Sequence, residues 1–339
     1  MSLFINILIF IAAAVTIGFA GTALTRYADK LADKTGLGEA FIGAVFLGAV
    51  TSIAGIITSI SAAYNGRPEL AISNAIGGIA AQTLFLCVAD ITYRKINLEH
   101  AAASLSNIMQ GVLLIGLLIL VLLGAASPDF TIFNIHPISI VIFLIYIVGT
   151  RLISRSEKEP MWSPKETSET VPKRSEEDQA KKVSLKMLIF KFFILSLVVG
   201  ASGYVISITG MAISDMSNLS DGLVGSLFTA IATSLPELVV TLAAVRQKAL
   251  ALAVANIIGG NSFDVLFVAF SDVAYQDGSI LHSINSNQSF TICITTLMVC
   301  VLIMGLLFRE RKGIANIGWE SALIIFIYVI GNFMLYWLF

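Results

Sequence analysis

Apolar residues run in stretches of about 20 along almost the whole chain, the length a helix needs to cross the hydrocarbon of a bilayer. On that rule the sequence predicts ten spans, at residues 4–24, 40–63, 69–91, 102–123, 135–153, 186–208, 222–245, 250–273, 288–308 and 317–338. Five lie on either side of residues 154–185, a stretch rich in Glu, Lys, Ser and Pro that reads as a flexible linker. The expected organisation is one five-helix unit over 1–153, a polar linker over 154–185, and a second five-helix unit over 186–339. The first apolar stretch lacks a basic leader and has a counterpart in the second unit, so it is expected to be a retained span.

The polar positions inside the spans repeat. Gly43, Thr51-Ser52, Asn74, Gly77-Gly78 and Asp90 recur 182 residues later, without a gap, as Gly225, Thr233-Ser234, Asn256, Gly259-Gly260 and Asp272. The correspondence extends to Gly21 with Gly203, Asp33 with Asp215 and His100 with His282. A unit with an odd number of spans, copied once in the same chain, enters the membrane in the opposite direction the second time. The expected fold is therefore an all-α polytopic membrane protein: ten transmembrane helices in two inverted five-helix repeats. In such a fold the site lies near the midplane, where the copies meet.

Composition narrows the function classes. Only 13% of residues are charged, about half the share of a soluble domain. Net charge is −1 and there is no stripe of Lys and Arg, so a nucleic-acid partner is not expected. Cys87, Cys293 and Cys300 fall in apolar segments, which argues against a disulfide framework or a zinc site. No Walker A or HExxH motif is present. Asp33-Lys-Thr-Gly36 looks like the phosphorylation sequence of P-type pumps, but Leu37 follows it in a loop too short for a nucleotide domain. Neither enzyme activity nor a cofactor is expected. Alternate loops (25–39, 92–101, 151–186, 246–249 and 309–316) hold 19 of the 21 Lys and Arg. Those loops and the linker are expected to face the cytoplasm and both termini to lie outside, in a bacterial inner (plasma) membrane. The expected surroundings are membrane lipid and inorganic cations.

The chemistry concentrates in the second unit. Pro236 lacks an N–H and its ring clashes with the carbonyl four residues back, so it frees backbone carbonyls near Ala232 and Thr233. Such carbonyls are tolerated at membrane depth only where protein or a wet cavity satisfies them. Thr233 and Ser234 add hydroxyls, and Glu237 adds a charge. Hard oxygen ligands of this kind suit Na⁺, Ca²⁺ or H⁺. Glu237 and Asp264 are the acids deepest in the predicted spans, where a charge costs at least about 2.5–3.5 kcal/mol. Asn74 and Asn256 also lie within spans and need partners. Gly77-Gly78 and Gly259-Gly260 serve either close helix packing or a kink that turns carbonyls to an ion. Asp90 and Asp272 fall at span ends and read as snorkelling residues; His100 and His282 read as interfacial caps.

At Ala232-Thr-Ser-Leu-Pro-Glu237 and Asn256 to Asp264 the chain resembles the Ca²⁺/cation antiporter superfamily, the sodium/calcium exchanger-like proteins. Those proteins carry two α-repeats of the form GTSLPE followed by GNxxGSNxxN/D. Gly43 to Asp90 resembles the first repeat more weakly. The resemblance implies cation exchange by alternating access, with the first two helices of each half moving as a gate bundle. It places Thr51, Ser52, Thr233, Ser234, Glu237 and Asp264 on ion-ligand positions. The departure lies in the first repeat: Gly55 stands where an acid matching Glu237 is expected, Ala54 replaces the proline, and Gln82 matches Asp264. The expected ligand set is Glu237 and Asp264 with Thr51, Ser52, Thr233, Ser234, Gln82, Asn256 and Asn74. Three functions stay open: a sodium/calcium exchanger, a Na⁺/H⁺ or K⁺/H⁺ antiporter, and a non-transporting ion sensor or scaffold. The intact second repeat makes sodium/calcium exchange the leading expectation. A central Ca²⁺ site wants more than one carboxylate, so the loss of an acid at Gly55 is what speaks for the monovalent alternative.

Overall fold

The computed structural model of the chain describes residues 2–35, 48–93, 96–158, 162–163, 184–311, 313 and 317–338. Apart from short connections these residues are helical. The helices of the first half are α1 (Leu3–Thr35), α2 (Ile53–Tyr64), α3 (Pro68–Thr92), α4 (Leu98–Ala102), α5 (Leu105–Ala126) and α6 (Pro137–Lys158). Those of the second half are α7 (Leu185–Ser217), α8 (Asp221–Thr233), α9 (Leu235–Arg246), α10 (Leu250–Asp264), α11 (Leu266–Ala274), α12 (Ser286–Phe308) and α13 (Trp319–Leu338). Among the described residues eight stretches are long and apolar enough to cross a membrane, and the bent pair α8 and α9 makes a ninth. α2 is a shorter apolar helix. The remainder of its expected span, with Gly43, lies outside the described residues, as does most of the 154–185 linker.

Helix ends and apolar runs do not coincide. α1 continues to Thr35, α7 to Ser217 and α6 to Lys158, each past the end of its predicted span. Hydropathy marks where lipid stops. The helix itself continues while the residues favour it, as the Ala, Leu and Lys of 28–34 do.

Burial sorts the helices into a centre and a rim. In α3 and in α10–α11 the apolar windows are 78% and 72% buried, against 22% in α1, α6 and α7. The two central elements occupy matching places in the repeat. A helix that is apolar on all sides is one the protein surrounds. α1 and α7 pack along each other. With Val50, Ala54 and Ala232 beside the breaks they form a small cluster around Ile17, Leu24, Val199 and Ile206, separate from the main core. Large apolar side chains on the rim point outward, Phe4 and Phe19 of α1 and Phe190 and Phe193 of α7 among them.

Asp90 and Asp272 do not snorkel; both are fully buried. Asp90 accepts the N–H of Leu98 at 2.8 Å and that of Gly318 at 3.2 Å. Asp272 accepts the N–H of Ile280 and that of His136, both at 2.8 Å, and the hydroxyls of Ser279 (2.7 Å) and Ser139 (2.6 Å). Leu98 and Ile280 are repeat counterparts, and so are Gly318 and His136. Each acid is a latch that satisfies buried backbone donors at a turn and at a helix start, groups that must be paired somewhere. His100 bonds the carbonyl of Arg309, the residue that caps α12, at 2.7 Å.

Candidate cation site

Two helix breaks build the site. In the second half, Ser234 (φ −94°, ψ 6°) joins α8 to α9 with a bend of 48°. Pro236 at the start of α9 accounts for the bend, and the preceding turn, Val224–Thr229, is π-helical, a loosening often found at functional sites. In the first half Ser52 takes the same conformation (φ −89°, ψ 4°) at the start of α2, although Ala54 stands in place of the proline. The break therefore persists without proline. Each break is covered by the long helix of the other half. Gly21 of α1 lies directly against the ring of Pro236, and a Cβ on Gly203 of α7 would come within 2.6 Å of the carbonyl of Ala54. Any side chain at either glycine would force the helices apart.

Four polar side chains meet between the breaks. Ser52 Oγ donates to Asp264 Oδ1 at 2.6 Å. Gln82 Nε2 donates to Asp264 Oδ2 at 2.6 Å and to Ser234 Oγ at 3.2 Å. All four are buried, as is Glu237, which is close enough to Asp264 for the two acids to interact electrostatically. Glu237 Oε2 and Gln82 Oε1 have no hydrogen-bond partner among the described residues. Buried oxygens without donors are costly unless a cation or a proton comes to them. The donor chemistry (two carboxyls, an amide oxygen and two serine hydroxyls) is that of a site for a hard cation. No three His, Cys, Asp or Glu side chains gather around one point among the described residues.

The other expected ligands divide. The Thr51 hydroxyl bonds the carbonyl of Gly48 at 3.1 Å, and that of Thr233 bonds Thr229 at 2.9 Å, each on its own helix beside the break. Asn74 is fully engaged: it donates to Ser59 Oγ (2.9 Å) and the Gly55 carbonyl (3.3 Å) and accepts from Thr229 Oγ1 (2.7 Å). It ties the two halves together beside the site. Asn256 is not brought into the constellation and is exposed. The counterpart of Thr229 is Leu47, which has no hydroxyl to hold it. Of the paired glycines, Gly77 packs against the backbone of Ser226, while Gly260 lies beside the free oxygen of Gln82.

Sequence reasoning missed Phe267. A Cβ on Gly55 would come within 2.6 Å of its ring, so the place of the absent acid is filled, not vacant. The ring continues an edge-to-face series through Phe263 to Tyr146. Ser59 and Thr229 were missed as well. Their only sequence signal is their spacing from Asn74, which becomes meaningful once the halves are docked.

The chain matches the family model described as sodium/calcium exchanger protein over residues 5–153 and 185–337. It is 24% identical over 305 residues to MJ0091 of Methanocaldococcus jannaschii, named an uncharacterized membrane protein, covering 89% of this chain and 88% of the relative. Among solved structures it is similar to YfkE (TM-score 0.68, 14% identity, 96% of this chain and 91% of that one). It is likewise similar to the sodium-calcium exchanger NCX_Mj (0.61, 18%, 97% and 98%) and to the H⁺/Ca²⁺ exchanger CAX (0.63, 12%, 98% and 88%). At these identities the structures show a common fold.

Proposed function

The chain belongs to the sodium/calcium exchanger protein family, and from that premise we propose that it is a secondary active cation antiporter exchanging Na⁺ for Ca²⁺ at one site between its two halves. The observation that carries this reading is the pair of unpartnered oxygens, Glu237 Oε2 and Gln82 Oε1, beside the Asp264 that Ser52 and Gln82 hold. Two carboxylates balance one Ca²⁺ or two Na⁺, so either cargo leaves the same site neutral. Ser52, Ser234, Thr51 and Thr233 supply further oxygens from the breaks. In this reading ten spans form two inverted five-helix repeats. The cluster that α1 and α7 share with Val50, Ala54 and Ala232, separate from the main core, supports a gate built on the first two helices of each half. The linker and the basic loops face the cytoplasm of a plasma membrane, with both termini outside. Arg67, the exception to that charge pattern, is paired with Asp215 and Asp221.

A second reading, Na⁺/H⁺ or K⁺/H⁺ exchange without Ca²⁺, is favoured by Phe267 filling the place of the missing acid at Gly55. Purified protein in liposomes separates the two. An outward Na⁺ gradient drives radiolabelled Ca²⁺ uptake in the first case. In the second it moves protons, read by an internal pH dye, and added Ca²⁺ changes nothing.

A further inference from the structure

The latches around Asp90 and Asp272 share their backbone bonds but not their side chains: Asn97 stands where Ser279 bonds Asp272, and two further positions differ in charge. The Asp272 latch has Leu281 and Ile138; the Asp90 latch has Glu99 and Glu320 at the matching places, both fully buried. Both Glu99 oxygens and Glu320 Oε2 lack a hydrogen-bond partner among the described residues, while Glu320 Oε1 accepts from Asn97. The Asp272 latch closes over apolar side chains, so packing alone does not call for acids here. Burying a carboxylate without a partner is strongly unfavourable.

Among the described residues the groups facing the pair are few. From α3 come Asp90, whose two oxygens are already taken by backbone N–H groups, and the buried thiol of Cys87. His100 lies on α4 itself. Beyond α12, the guanidinium of Arg309 is turned to the His100 carbonyl, and the Arg311 carbonyl accepts from Asn97 N–H. α10, which also packs on α4, has no ionisable side chain before Asp264. Burial, with the charges of Asp90 and Glu320 added, holds the Glu99 carboxyl well above the usual carboxylate range.

We propose that Glu99 and Glu320 form a proton-binding site, separate from the cation site, in which one shared proton joins the two carboxyls and fastens α4 to the start of α13. The proton is the cation that fits. Glu99 and Glu320 interact with each other, and Asn97 bonds both, the carboxyl of Glu320 and the backbone N–H of Glu99, so they accept one between them. Among the described residues no third free acid completes a metal shell. The site lies at the end of α3 that faces the proposed cytoplasmic side. Glu99 is raised in the folded protein relative to the unfolded chain. Its stabilising contribution is therefore complete below about pH 4.3 and is lost as pH rises through its folded value.

The test is the melting temperature of the full-length protein in detergent with a chelator present, from about pH 5 to about pH 9, in an E237Q background that removes one of the two central acids; Asp264 is common to all the proteins compared. The parent should lose stability as pH rises. E99L/E320I, which copies the Asp272 latch at these two positions, should lose distinctly less. E320Q, whose amide donates as the protonated acid would, should also hold its low-pH value, and it decides the matter if the double variant fails to fold. Parallel pH curves for all three proteins would overturn the proposal. So would Ca²⁺ or Mg²⁺ restoring the high-pH melting temperature of the parent but not of E99L/E320I, which would make this a metal site. Neither result depends on which ions the protein transports.

Discussion

Gln82 and Asp264 occupy the same position in the two copies of the repeat, and they are hydrogen-bonded to each other, Nε2 to Oδ2 at 2.6 Å. A similar contact joins Asn261 to the carbonyl of its own counterpart, Ile79, at 3.4 Å. Residues that correspond in sequence meet in space, so α3 and α10 face each other at the centre of the molecule. One side of that meeting point is an acid and the other an amide that holds it. One N–H of this neutral amide thus solvates the carboxyl whose charge a bound cation would balance.

Gln82→Asp replaces this donor with a second carboxylate opposite Asp264. Without divalent cations the variant should lose about 2–3 kcal/mol, the cost of a charged hydrogen bond exchanged for repulsion. Ca²⁺ at about 100 times its dissociation constant returns about 2.7 kcal/mol. Thermal unfolding with and without Ca²⁺ reads both effects. A variant as stable as the parent in chelator would show that Gln82 does not hold Asp264.

Gly55→Glu does not simply restore the missing acid. Its Cβ would meet the ring of Phe267 at 2.6 Å, and overpacking of this kind costs about 1–3 kcal/mol. The single variant should be destabilised, and Gly55→Glu with Phe267→Ala should recover stability and gain a larger Ca²⁺-induced rise in melting temperature than the wild type. Equal melting temperatures for Gly55→Glu and wild type would show that Phe267 does not occupy this place.

Asp272→Ala removes the acceptor for two backbone N–H groups and two serine hydroxyls. Bonds to a charged acceptor contribute about 1.5–3 kcal/mol each, so the variant should lose at least about 3 kcal/mol and express poorly. Asp272→Asn should fall between the two. Unfolding in detergent measures the order, and an unaffected alanine variant would contradict the latch.

Eight of the spans and the bent ninth were legible because a bilayer forces long apolar runs, and the second break was legible because proline announces it. The first break carries no such marker. Ser52 adopts it within a docked structure that holds Asn74, Gly55 and Thr229 together across the two halves. The latches were misread because a carboxylate at a span end looks the same whether it reaches for water or for a buried N–H. Asn256 was placed in the site because it lies within a span and begins the second motif, but the threonine that holds its counterpart Asn74 has no match in the other half. The filling of the Gly55 side by Phe267 is a packing fact between α2 and α11 with no local pattern to announce it.

The most direct measurement is Na⁺-gradient-driven Ca²⁺ uptake in liposomes by the wild type and by Glu237→Gln, each shown to be folded by its melting temperature. The replacement keeps the size of the side chain and removes the charge whose Oε2 has no partner. Uptake falling to the level of protein-free liposomes in a variant that melts no lower than the wild type is the predicted result. Uptake at the wild-type rate in that variant would contradict the assignment of Glu237 as the cation's principal ligand.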